Sequence, residues 1–150
     1  MEYIESPDYY SKTEEMAVFL AGGITDCPDW QSEMVTLLKD IHVVLLNPRR
    51  KDFPIDDPNA SKEQIRWEFE HLRKADVIIF WFPKESICPI ALYELGAWCM
   101  TYKPIFIGVD TSYQRRVDIE EQTSLVRPEI QIVYSLNELA QQIIANKDFL

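Results

Sequence analysis

The sequence predicts a three-layer α/β sandwich around a mostly parallel five-stranded sheet. Three observations carry that expectation. Short β-branched and aromatic runs alternate with stretches of helical periodicity, an order that sets successive strands parallel and covers both faces with helices. The run Asp76–Phe82 (DVIIFWF) is apolar almost throughout, as in a strand buried on both faces. The 150 residues, 47% of them hydrophobic, suit one core and a single domain, 1–150, with no linker dividing it.

The elements follow in order. Residues 1–15 carry no clear period and read as a flexible tail, or one that orders on assembly, with Tyr3, Ile4, Tyr9 and Tyr10 available to dock. Met16–Leu20 is a buried strand, and Ala21-Gly22-Gly23 is a loop needing small residues. Asp26 or Asp29 can cap the next helix, with Pro28 near its start. Trp30, Met34, Leu37 and Leu38 recur at helical spacing up to Asp40. His42–Leu46 is a second strand, ended by Asn47-Pro48-Arg49-Arg50 and a Pro- and Asp-rich loop to about Ala60.

Ser61 stands three residues before Gln64, a capping-box spacing, and Ile65, Phe69 and Leu72 share one face of the helix running to Lys74. Asp76 opens the third strand and reads as a structural cap. Pro83–Pro89 is a loop, and Ile90–Tyr102 a helix interrupted only by Gly96. Pro104–Val109 is the fourth strand, Asp110–Pro128 has no clear assignment, and Ile130–Tyr134 is a short fifth strand. Ser135 or Asn137 caps a last helix to about Asn146. The handedness of crossovers then favours the flavodoxin-like strand order 2-1-3-4-5.

Composition narrows the function. A formal net charge of −10 opposes nucleic-acid backbones and anionic membranes, so neither is expected as a partner. No apolar run approaches the roughly 18–20 residues that span a bilayer, and the acidic N-terminus lacks a signal-peptide pattern, so a cytoplasmic location is expected. Cys27, Cys88 and Cys99 have neither zinc spacing nor a disulfide framework and read as reduced packing thiols. His42 and His71 have no partner suggesting a triad or a metal site. Neither GxGxxG nor GxxxxGK[ST] occurs, which argues against a dehydrogenase or an NTPase.

In such sheets ligands bind outside the carboxyl ends of the strands. Glu94, in the otherwise apolar Ala91–Trp98, is the leading candidate for chemistry. It reads either as an exposed helix carboxylate or as a site nucleophile, kept ionised near the start of its helix by the dipole. Gly22 and Gly23 either make a tight turn or admit a ligand to the main chain. Trp81 and Phe82 end the third strand, where one could stack on a base; core packing is the other reading. Arg49-Arg50-Lys51 is a solvated turn or a phosphate site, and Glu68 could pair with an arginine or support a loop.

FLAGGIT (Phe19–Thr25), Asp29-Trp30, Asn47-Pro48-Arg49, QIRWE (Gln64–Glu68), ADVIIFWFP (Ala75–Pro83) and ELG (Glu94–Gly96) together resemble the nucleoside 2-deoxyribosyltransferase-like family, from about Met16 to Val109. The resemblance implies base exchange on a 2-deoxyribonucleoside without metal or organic cofactor. Glu94, at the position of the family's glutamate, would attack the anomeric carbon, and a free nucleobase would take over the deoxyribosyl ester. Gly22 and Gly23 would let the sugar approach. Asn47 and Arg49 would hold base, sugar or a 5′-phosphate, and Asp26 and Ser86 would supply polar contacts. Sites of the family are often completed by a neighbouring subunit, so a homo-oligomer is implied. Two departures stand out: the loop Lys84–Pro89 has no aspartate, and Phe19 stands where the better-known transferases place a tyrosine. An N-glycosidase that uses water as acceptor, or a nucleotide-binding module without catalysis, are the competing readings.

Overall fold

The computed structural model describes residues 1–146; the last four residues of the expected span 1–150 lie outside the described residues. Its elements are β1 (Glu2–Glu5), β2 (Ala17–Gly22), α1 (Trp30–Leu37), β3 (Val44–Asn47), α2 (Ala60–Lys74), β4 (Val77–Phe82), α3 (Pro89–Cys99), β5 (Ile105–Val109), α4 (Arg116–Val126) and α5 (Leu136–Asn146). The sheet is parallel throughout, in the order β1-β3-β2-β4-β5. Helices α2, α3 and α4 pack on one face around Phe19, Leu46, Phe80 and Phe82. Helices α1 and α5 pack on the other around Leu20, Trp30, Leu45, Ile79 and Trp81. This is the flavodoxin-like three-layer class.

The four central strands stand in the expected order, but the fifth is a different segment. Val133 makes only an isolated bridge to Gly108, so Ile130–Tyr134 is not a strand. The fifth strand comes from the supposed tail: β1 pairs with β3, with Tyr3 opposite Leu45 and Ile4 opposite Leu46. The reason lies in β3, whose four residues are all buried. A dry strand edge leaves backbone groups unsatisfied unless another strand covers it. Beyond β1 the chain stays docked. Trp67 Nε1 donates to Asp8 O (2.7 Å), Tyr10 N to His71 Nε2 (3.2 Å) and Lys74 Nζ to Tyr10 O (2.9 Å). Tyr10 itself joins the core.

Local chemistry sets the helix ends. Asp29, not Asp26, caps α1 by accepting from Ser32 N at 3.1 Å. The capping box expected at Ser61 does not form, because α2 starts at Ala60 and Asn59 occupies the cap position. Ile65 and Phe69 do not face the core: they are 64% and 56% exposed, while Trp67, His71 and Leu72 are buried. The apolar face read from the sequence is therefore rotated, and Arg73 covers the Phe69 ring at 3.4 Å instead. Helix α3 ends at Cys99, before the expected Tyr102, and much of the unplaced Asp110–Pro128 is α4. Ser135 caps α5, its Oγ accepting from Glu138 N (3.2 Å) and donating to Glu138 Oε2 (2.9 Å). Asp76 joins β4 to the start of β2: its N donates to Ala17 O and its Oδ2 accepts from Ala17 N, both at 2.8 Å. No described helix is long and apolar enough to cross a membrane.

Candidate functional site

The loops at the carboxyl ends of β2, β3 and β4 are tied to one another. Arg49 Nη1 donates to Pro28 O (2.8 Å) and Gln31 Oε1 (3.2 Å), and its Nη2 donates to Cys27 O (3.0 Å). The loop after β3 thus clamps the loop after β2. Asn47 is buried and bonded at both polar atoms: Nδ2 donates to Tyr3 Oη (2.8 Å) and Oδ1 accepts from Arg49 N (2.9 Å). Gly23 O accepts from Trp30 Nε1 (2.8 Å) and Gln31 Nε2 (3.1 Å), which holds the loop down on α1.

Protein packing alone demands both glycines. Gly22 has φ +149°, and a methyl there would stand 2.2 Å from Trp81 O. A methyl on Gly23 would press on Pro83, Cys88 and Cys27 at 2.8–3.0 Å. Trp81 is buried on the α1/α5 side of the sheet, the face opposite α3, so its ring serves the core. Asp26 is exposed, with a left-handed φ of 57°. Ser86 Oγ accepts from Cys88 N (3.3 Å) just before α3. Gly96 has open space where a side chain would be and borders a groove of about 250 Å³ between α3 and α4. A second cleft, about 600 Å³, runs between Pro7, Tyr9 and α2 residues including Lys62 and Arg66. Glu94 lines neither of the two.

Glu94 is half-buried in the middle of α3. The dipole argument fails there, since that effect falls off within the first turn. Burial, together with the like charge of Glu68, pushes its carboxyl up to about 8. Substrate-free Glu94 is therefore mostly protonated at neutral pH, contrary to the expectation of a permanently ionised group. Glu68 is raised by its own burial, against a hydrogen bond from Gln64 Nε2 to Glu68 Oε1 (2.8 Å). No arginine pairs with Glu68, and among the described residues no cation lies within salt-bridge distance of either glutamate.

Glu68 is the residue that sequence reasoning undervalued. A signal was present: Ala60, Gln64, Trp67, Glu68 and His71 recur at three- and four-residue spacing, so Glu68 shares the inward stripe of α2 with buried Ala60, Trp67 and His71. Among the described residues no group of three or more His, Cys, Asp or Glu is arranged to hold a metal ion.

Fold and site define a parallel-sheet α/β domain with a carboxylate pair, one member on each of two helices covering the same face. The chain belongs to the nucleoside 2-deoxyribosyltransferase-like family, whose model matches residues 15–113. That stretch takes in β2 through β5 and both Glu68 and Glu94. No curated protein matches the chain.

Proposed function

We propose that this protein exchanges the base of a 2-deoxyribonucleoside through a deoxyribosyl ester on Glu94. The observation that carries the reading is the Glu68–Glu94 pair, two half-dry carboxylates both raised by burial, with the charge of Glu68 raising Glu94 further and no basic partner for either among the described residues. Such a pair holds one proton between its members near neutral pH, which supplies an anion and an acid together.

Glu94 passes its proton to Glu68, its anion attacks C1′ while the C1′–N bond breaks, and the proton on Glu68 goes to the departing base nitrogen. Positive charge develops on the sugar, and an unneutralised carboxylate beneath it is stabilising. The second base attacks C1′ from the vacated side, returns its N–H proton to Glu68 and releases Glu94, so two inversions give net retention. Asp26 and Ser86, on loops at the carboxyl edge, remain the polar groups free to meet base or sugar. Asn47, Arg49, Gly22, Gly23 and Trp81 support the reading by shaping those loops.

Assembly belongs to the same reading. Ile90 and Tyr93 on α3, with Met100 just past its end, form an exposed apolar stripe around Glu94, with Tyr93 79% exposed. A second copy covering that stripe would dry the carboxylate further. Sedimentation showing only a monomer would remove this part.

The test incubates the protein with one deoxynucleoside and a different free base, and separates the products chromatographically. A new nucleoside, lost in Glu94→Gln, is the expected result. Base release without any acceptor would make the protein an N-glycosidase. Nucleotide binding without turnover, unchanged in Glu94→Ala, would make it a binding module.

A further inference from the structure

We propose that Cys27 and Cys88 are an oxidisable pair that closes to a disulfide, tying the loop after β2 to the N-terminus of the helix that carries Glu94. The geometry starts at Gly23. A methyl group there would stand 2.9 Å from Cys88 Sγ and 3.0 Å from Cys27 Sγ. The two sulfurs are therefore separated by no more than the sum of those distances, about 5.9 Å, and face the same space. Any larger residue at position 23 would stand between them. Because glycine leaves that space empty, a turn of the Cys27 side chain can close the gap to a sulfur–sulfur bond of about 2.05 Å.

The two thiols differ in access. Cys27 is half-buried, and Cys88 is buried at the N-cap of α3 with a left-handed φ of 52°. The Arg49 guanidinium favours the Cys27 thiolate and partly offsets the burial that raises it. Burial pushes the Cys88 thiol up to about 11, and its Sγ–H donates to Ser86 O at 3.3 Å. Cys27 is thus the thiol that meets an oxidant first, and Cys88 the one that resolves it.

The oxidant is a hydroperoxide. The Cys27 thiolate attacks the terminal peroxide oxygen, the O–O bond breaks, and the departing oxygen takes a proton. The Cys27 sulfenic acid is then attacked by Cys88 as thiolate, the S–O bond breaks, and the oxygen leaves as water with the proton Cys88 gave up. Two thiols lose two electrons and two protons, and one hydrogen peroxide becomes two waters. Both thiols are raised by burial, so closure accelerates with rising pH.

Cys99 sits at the far end of α3, about 16 Å along the helix from Cys88, and serves as an internal control. The experiment treats the full chain with hydrogen peroxide, alkylates the remaining thiols and maps the peptides by mass. We expect a Cys27–Cys88 linked peptide lighter by two hydrogens, alkylated Cys99, reversal by dithiothreitol, and closure at least several-fold faster at pH 9 than at pH 7. Cys27→Ser should lose the link and Cys99→Ser should keep it, with circular dichroism checking that each variant folds. Cys27 and Cys88 both alkylated after peroxide, or links to Cys99 as frequent as the one between them, would overturn the proposal. None of these readouts depends on turnover, so the outcome is independent of the deoxynucleoside assay.

Discussion

A methyl group on Gly108 would stand 2.6 Å from Cε3 of Trp81, its register partner on β4. The indole occupies the place of the missing side chain, and Leu139 of α5 borders the same space, 3.2 Å from that methyl position. Gly22 flanks Trp81 on the other side in the same register row. Gly108→Ala should therefore overpack the core and cost about 1–3 kcal/mol. Trp81→Phe, alone destabilising, should recover part of that loss in the double variant, because the smaller ring vacates the space. Thermal melts of the two singles and the double check this, and strict additivity would refute it.

Glu94 ties activity and stability to pH in the same sense. The folded value, about 8, lies above the ordinary 4.5, so the native state keeps a proton that the unfolded chain releases. The stabilisation is complete below about pH 4.5 and is lost as pH rises through 8. Glu94→Gln cannot ionise and should gain stability relative to the parent by a few kcal/mol at most at pH 9, with little difference at pH 5. If the pair supplies one anion and one acid, parent turnover should fall as pH rises through the same range, and the Gln variant should be lower by at least about 10³-fold. Denaturant melts and initial rates across pH 5–9 test both statements.

His71 carries the opposite dependence. Its Nδ1–H donates to Trp67 O (2.7 Å) and its Nε2 accepts from Tyr10 N (3.2 Å). Burial lowers its pKa below 6.5, so the native state holds fewer protons than the unfolded chain in acid. Stability from this group is present above about 6.5 and is lost as pH falls through the lowered value. Protonating Nε2 also turns it from acceptor to donor, which breaks the bond to Tyr10. Amide exchange at Tyr10 should rise in acid well before the β4 amides exchange, and His71→Gln should blunt that response.

Lys103 Nζ donates to Leu72 O (2.8 Å), Arg73 O (3.1 Å) and Ala75 O (2.5 Å), three carbonyls at the C-terminal end of α2. These carbonyls have no partner within the helix. Lys103→Met keeps the length of the side chain but removes the ammonium, and with it the three donated bonds and the contact of Nζ with the Trp98 ring. A loss of about 1–3 kcal/mol is expected, with faster exchange confined to the end of α2. Lys103→Arg should recover part of it.

The central sheet was legible because period and apolarity are local signals. Val77–Phe82 is a buried strand wherever it is placed, and Ala17–Gly22 before paired glycines ends at the carboxyl edge in any parallel sheet. Glu94 was legible as an isolated charge in an apolar helix. Its protonation was not, because the value depends on Glu68, 26 positions earlier, and on how much water reaches both. The N-terminal strand was illegible for a related reason. Nothing in Glu2–Glu5 announces a strand; the bare edge of β3 recruits it.

What the sequence by itself determined is the order of elements from β2 to β5, the class of sheet and the family, since these follow from spacing along one chain. Tertiary structure alone decided which side chains are already engaged within the protein. Asn47 and Arg49 are taken up by Tyr3, Gln31 and the Cys27–Pro28 backbone, and Trp81 by Gly108. Hydrogen bonding, desolvation and steric fit act through space, between residues whose separation along the chain carries no record of their contact.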